Sequence, residues 1–125
     1  RHFIFCGDFG IAARTVDCEE WHKHNDTPGF TKDDRQWLES LLTEAGYTDA
    51  YRAVFANEPA YSWFPSEPLF GIEKPGAWRT DLQLVSEEIS RRVLTAAYVS
   101  KRPFDDRVPL IVDYDLSLNL EDEDV

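Results

Sequence analysis

At 125 residues, with 42% hydrophobic and 14% aromatic side chains, the chain can pack one small domain and does not have the composition of a disordered segment. Its formal net charge of −11 excludes binding of nucleic acid through an overall positive surface, so any phosphate contact needs a local basic cluster, a metal ion or another part of the protein. No stretch approaches the roughly 20 consecutive apolar residues of a membrane span, and two cysteines, Cys6 and Cys18, fit a reducing, cytoplasmic setting better than a disulfide scaffold.

The chain opens on Arg1-His2, runs straight into an apolar segment and contains no methionine, so an upstream portion is expected. His2-Phe3-Ile4-Phe5-Cys6 reads as a buried strand with Cys6 as a small buried hydrophobe, and Gly7-Asp8-Phe9-Gly10 as its glycine-flanked exit. Asp17 to Pro28 is polar and reads as a loop with one helical turn. His22 and His24 stand two apart within it, a spacing open to a metal, but no cysteine or third histidine lies close by and a solvated loop is the simpler reading. Thr31 with Asp34 has the form of a capping box. It opens a helix in which Trp37, Leu38, Leu41, Leu42 and Ala45 share one face, and Gly46 stops it.

Tyr47 to Phe55 reads as a turn and a second short helix, Tyr61-Ser62-Trp63-Phe64 as a strand, and Pro65 to Gly76 as a long loop rich in proline and glycine. Strands return at Asp81–Val85 and Val93–Val99, with a short capped helical turn between them at Ser86–Arg92. Lys101 to Val108 is a charged loop, Pro109 to Leu116 a last strand, and residues 119–125 a solvated acidic tail beyond a domain of residues 1–118. The expected class is α/β, a mixed sheet with the Thr31 helix on one face. The opposite face is expected to need a partner layer, so that the isolated chain exposes a contiguous apolar surface or associates.

Three acidic residues stand at strand ends: Asp8, Asp81 and Asp106. Carboxylates that converge from such ends can hold a divalent cation and orient water against a phosphate, although spacing alone does not bring them together. The wording around them is more specific. Phe5-Cys6-Gly7-Asp8-Phe9-Gly10 resembles the Gly-Asp-Phe/Met-Asn strand exit of the exodeoxyribonuclease III and AP-endonuclease family. Arg35-Gln36-Trp37-Leu38, Tyr47-Thr48-Asp49-Ala50-Tyr51-Arg52, Tyr61-Ser62-Trp63-Phe64 and Trp78-Arg79-Thr80-Asp81-Leu82 resemble its following blocks, in order. Asp105-Asp106-Arg107-Val108-Pro109-Leu110 stands where the family writes Ser-Asp-His-Ala-Pro-Leu.

That resemblance implies the C-terminal half of a four-layered α/β sandwich, with a mixed, mainly antiparallel sheet and helices on one face. The implied chemistry is Mg²⁺- or Mn²⁺-dependent hydrolysis of DNA at abasic sites or duplex 3′ ends, with a missing N-terminal half supplying the principal metal-binding glutamate. By the same resemblance Asp8 orients the nucleophile or protonates the leaving group, and Asp106 is a metal-shell carboxylate. Asp81 orients and charges a histidine. Trp63 lines the substrate pocket or is a core aromatic, and Arg79 contacts phosphate or pairs with a neighbouring acid.

Two departures bear on activity. Gly10 replaces the family's Asn and offers no side-chain donor. Arg107 replaces the histidine and cannot accept a proton, leaving it to clamp phosphate or pair with Asp81 and Asp106. Ala77 and Thr80 replace residues that are ordinarily glycine and apolar. Tyr47-Thr48-Asp49-Ala50, Ser62-Trp63-Phe64-Pro65-Ser66-Glu67 and especially Pro109 to Asp115 also resemble the catabolite-repression-control branch, which keeps the fold without nuclease chemistry. That alternative implies a regulatory protein acting on RNA together with an RNA chaperone.

Overall fold

The computed structural model describes residues 2–99 and 106–117. Its centre is strand β3 (Asp81–Ser86), which pairs antiparallel with β1 (Ile4–Asp8) on one side and β2 (Tyr47–Asp49) on the other. Helix α1 (Lys32–Thr43) lies against this sheet. Its start is local chemistry: the Thr31 hydroxyl accepts the Asp34 amide at 3.1 Å, and the Asp34 carboxylate reaches back to the Gly29 amide at 2.7 Å. The first contact satisfies an amide that the helix would leave orphaned, the second ties down the loop that enters the helix, and Asp33 and Asp34 complement the positive end of the helix dipole.

Along β3 the side chains alternate. Leu82 and Leu84 face α1 and form a core with the fully buried Leu38, against which Leu41, Leu42, Phe9 and Ile11 pack. Trp37, expected on that stripe, is 53% exposed, because a neighbour of Leu38 is turned by about 100° around the helix. Val85 points the other way and packs with Ala50 of α2 (Ala50–Val54) and Ile89 of α3 (Glu87–Ser90). Over it lies a second antiparallel sheet, β4 (Val93–Tyr98) with β5 (Leu110–Tyr114), through Val93, Val112 and Tyr114. The Tyr114 hydroxyl donates to Gln83 Oε1 at 2.6 Å across the gap.

The α/β class therefore stands, as two antiparallel sheets with a helix outside the first. The Val85 end of the second face is covered by the chain's own β4–β5 pair, a contact that periodicity does not reveal, while Cys6 on the same face is exposed beside an open cleft. The expected buried strand at the start is instead an edge strand: Phe5 is 51% exposed and Cys6 is exposed, because β1 has a partner on one side alone among the described residues. Tyr61 to Phe64 forms no ladder, and Trp63 makes single bridges to Trp78 and Arg107. The polar loop holds two short 3₁₀ turns, Thr15–Asp17 and Trp21–Lys23. His24 within it is buried, its ring nitrogens 3.0 Å from Thr27 Oγ1 and 2.7 Å from the Pro75 carbonyl oxygen. The loop from Lys101 to Asp105 and the acidic tail with its boundary at 118 lie outside the described residues.

Thr80 is 1% exposed, and its hydroxyl has no partner among the described residues. Replacing that hydroxyl by a methyl group removes an unmade hydrogen bond. Thr80→Val should therefore raise stability by about 1 kcal/mol, read as a shift in the urea midpoint with unchanged slope.

Candidate active site

The residues at the mouth of the central sheet are placed by pairing register. Asp8 ends β1, Asp81 begins β3, and the two are direct cross-strand partners. Arg107 sits between them. Its Nη2 lies 3.0 Å from Asp8 Oδ2 and its Nη1 donates to Asp81 Oδ2 at 3.0 Å. Asp8 Oδ1 accepts the Gly10 amide at 2.8 Å, which fixes the carboxylate in the direction of Arg107.

The segment from Ser62 to Phe64 holds the other wall. Ser62 is fully buried, and its Oγ accepts the amides of Thr80 and Asp81 at 3.1 and 3.0 Å. The Tyr98 hydroxyl donates to the Asp81 carbonyl at 2.7 Å, so the backbone at Asp81 is clamped from two sides. Val108 donates its amide to the Ser62 carbonyl, and Phe64 to that of Asp106 at 2.7 Å, which ties the Arg107 segment to the same frame. Trp63 is half-buried: its ring packs on Trp78 with centroids 5.8 Å apart and lies 5.4 Å from the Arg107 guanidinium carbon. Its indole N–H donates to Asp106 Oδ2 at 2.9 Å. A cleft of about 320 Å³ opens beside Asp81 and Arg107, with Cys6, Gln83 and Pro109 on its other walls.

Asp8, Asp81 and Arg107 are thus brought together, with Gly10 beside them, while Asp106 turns its carboxylate to Trp63. Gly10 has φ +67°, and a Cβ there would meet nothing within 4 Å. Its neighbour Gly29 is constrained, since a Cβ on it would lie 2.5 Å from the Gly10 carbonyl oxygen.

Arg79 is not available to a substrate. It is 1% exposed, and its guanidinium is taken up by Asp17 Oδ1 at 2.8 Å, by both oxygens of Asp49 at 3.2 and 2.6 Å, and by the Tyr98 hydroxyl at 3.3 Å. Arg52 Nη2 also reaches Asp17 Oδ1. The Trp-Arg block is a buried framework rather than a phosphate contact. Burial alone would push the Asp17 carboxyl up, but the charges and hydrogen bonds of Arg79 and Arg52 outweigh it and hold its pKa below the ordinary carboxylate range. Sequence reading passed over Asp17, Ser62 and Tyr98. The signal for Asp17 was a tryptophan-flanked arginine in an acidic chain, which demands buried carboxylate partners.

These residues do not fit a divalent cation shared by Asp8, Asp81 and Asp106. The guanidinium already bridges the first two, and the third serves an indole. Among the described residues no three His, Cys, Asp or Glu side chains are placed to hold one ion.

No family model matches the chain. Similarity to individual proteins is clear. An exodeoxyribonuclease of Streptococcus pneumoniae is 27% identical over 111 residues, 88% of this chain and 40% of the relative. An exodeoxyribonuclease of Bacillus subtilis is 30% identical over 95 residues, 75% of this chain and 37% of the relative. An AP endonuclease from Archaeoglobus fulgidus shares the fold with a TM-score of 0.80 and 24% identity, covering 92% of this chain and 46% of that one. A 3′ phosphatase from Neisseria, solved bound to a product DNA hairpin, has a TM-score of 0.76 at 26% identity, over 91% of this chain and 45% of that one. The chain belongs to the exodeoxyribonuclease III/AP endonuclease family. It spans about two-fifths of the length of these two exodeoxyribonucleases.

Proposed function

We propose that this chain is the C-terminal half of an exodeoxyribonuclease III-like DNA phosphodiesterase whose hydrolytic step is impaired. One observation carries the reading: the guanidinium of Arg107 is forked between Asp8 and Asp81, where the sequence resemblance expects an imidazole. A guanidinium stays protonated at any working pH and cannot take a proton from water. Asp81, which would orient an imidazole, instead accepts from Arg107. Asp8 keeps its place, but both its oxygens are engaged, one by Gly10 and one by Arg107. The Gly10 position supplies a backbone amide and no side-chain donor. Loss of a general base alone lowers a rate by about 10²–10⁴-fold, and loss of the Asn contact adds to it.

DNA is the substrate class this reading takes, by analogy with the Neisseria 3′ phosphatase and its DNA hairpin. In Mg²⁺, the complete polypeptide should leave an abasic-site duplex uncut at background level, while the B. subtilis exodeoxyribonuclease run beside it serves as the reference. Cleavage within tenfold of that reference would refute the impairment. Retention of RNA with an RNA chaperone, without retention of DNA, would instead favour a regulatory protein.

A further inference from the structure

We infer that Arg107 is the resident cation of this site: its guanidinium takes the place between Asp8 and Asp81 that a bound cation would hold, and the pair admits an external divalent ion only when Arg107 is removed. The inference rests on reading these carboxylates as a degenerate phosphodiesterase site, but its consequence is a count of bound ions and not of cleaved strands.

Asp8 and Asp81 are direct partners on adjacent antiparallel strands and share one face of the sheet. Side chains so placed have Cβ atoms about 4.5–5.5 Å apart, and like charges there repel. A positive charge between the two carboxylates relieves that repulsion. Arg107 supplies it in the geometry suited to the task, one N–H to each carboxylate at 3.0 Å from a rigid planar fork. Two further contacts hold the fork in place. The Trp63 ring lies 5.4 Å from the guanidinium carbon, and Trp63 and Arg107 bridge through their backbones. From the opposite side the Gly10 amide pins Asp8. A hard divalent ion needs the same carboxylate oxygens at about 2.0–2.6 Å. The guanidinium competes for those atoms and repels the ion.

The test counts Mn²⁺ bound to the complete polypeptide, from the spectrum of the free ion. Arg107→Gln should bind one Mn²⁺ more per chain than the unmodified protein, and adding Asp8→Asn should remove that ion again. A folded Arg107→Gln protein with no additional ion, or with an additional ion indifferent to Asp8→Asn, would overturn the inference. If Arg107→Gln does not fold, Asp81→Asn with Arg107 in place gives the answer. Its Mn²⁺ count should stay unchanged and its affinity within about twofold, a difference under 1 kcal/mol at 1.4 kcal/mol per tenfold, because Arg107 already keeps the ion out. Loss of an ion in Asp81→Asn would overturn the inference. Cleavage by the unmodified protein would sink the impaired reading and leave this count as it stands.

Discussion

Asp17→Asn should cost about 3–5 kcal/mol of folding stability, the scale for removing one partner of a buried ion pair. Asp17 is fully buried and Arg79 1% exposed, so water does not screen the loss. The carboxylate receives Arg79 Nε at 2.8 Å, Arg52 Nη2, and the Arg14 amide at 3.1 Å, while its backbone carbonyl takes the Arg79 amide. An amide at position 17 leaves two guanidinium groups short of countercharge in the interior. Asp49 alone would face Arg79, and Asp49 is already committed to the first-turn amides of α2 at Tyr51 and Arg52. The pH dependence follows from the lowered pKa of Asp17. In the unfolded chain an aspartate titrates near about 3.9. The stabilisation is therefore complete above about pH 4 and is lost as pH falls through the lower folded value, because the unfolded state takes up the proton first. Urea titrations at pH 7 and pH 3 should show the gap between the two proteins narrowing in acid. An Asp17→Asn cost under 1 kcal/mol at pH 7 would show that the network is not holding the fold.

What the sequence made legible was local. The Thr31–Asp34 cap, the Gly46 stop and Leu38, Leu41 and Leu42 of the helix stripe depend on residues within a few positions of one another and are found where expected, whereas Trp37 and Ala45 of the same expected stripe are exposed. The Asp81 and Leu110 strands are likewise readable from short apolar runs. Non-local pairing was not legible. Nothing in Val93 to Tyr98 announces a second sheet lying over Val85, and Tyr47 to Asp49 is too short to register as a strand. At the site, motif wording led to the expectation that Asp8, Asp81 and Asp106 converge with Gly10 and Arg107 beside them; Asp8, Asp81 and Arg107 do meet, but the turn of Asp106 toward the Trp63 indole is a side-chain choice that no motif encodes. Arg79 shows the converse: a residue in a chemistry-bearing block whose partners, Asp17 and Asp49, bury it 62 and 30 positions away in sequence.

Gly10→Asn with Arg107→His should restore hydrolysis by about 10²–10⁴-fold over the unmodified protein. Both changes are sterically open. A Cβ at position 10 meets nothing within 4 Å, and asparagine is among the residues that accept the left-handed backbone found there, φ +67°. Histidine at 107 removes the fork that locks Asp8 and Asp81 and supplies a group that can accept a proton at neutral pH. Asp81 is already held for it by Ser62 and Tyr98. Each single reversion should recover little, because groups that act as one unit do not contribute additively. The most direct measurement is single-turnover cleavage of an abasic-site duplex in Mg²⁺ by the complete polypeptide, unmodified and doubly reverted, side by side. The unmodified protein should stay at background and the double reversion should rise at least about a hundredfold above it. Robust cleavage by the unmodified protein, with no gain on reversion, would contradict the assignment of Arg107 as the residue that closes this site.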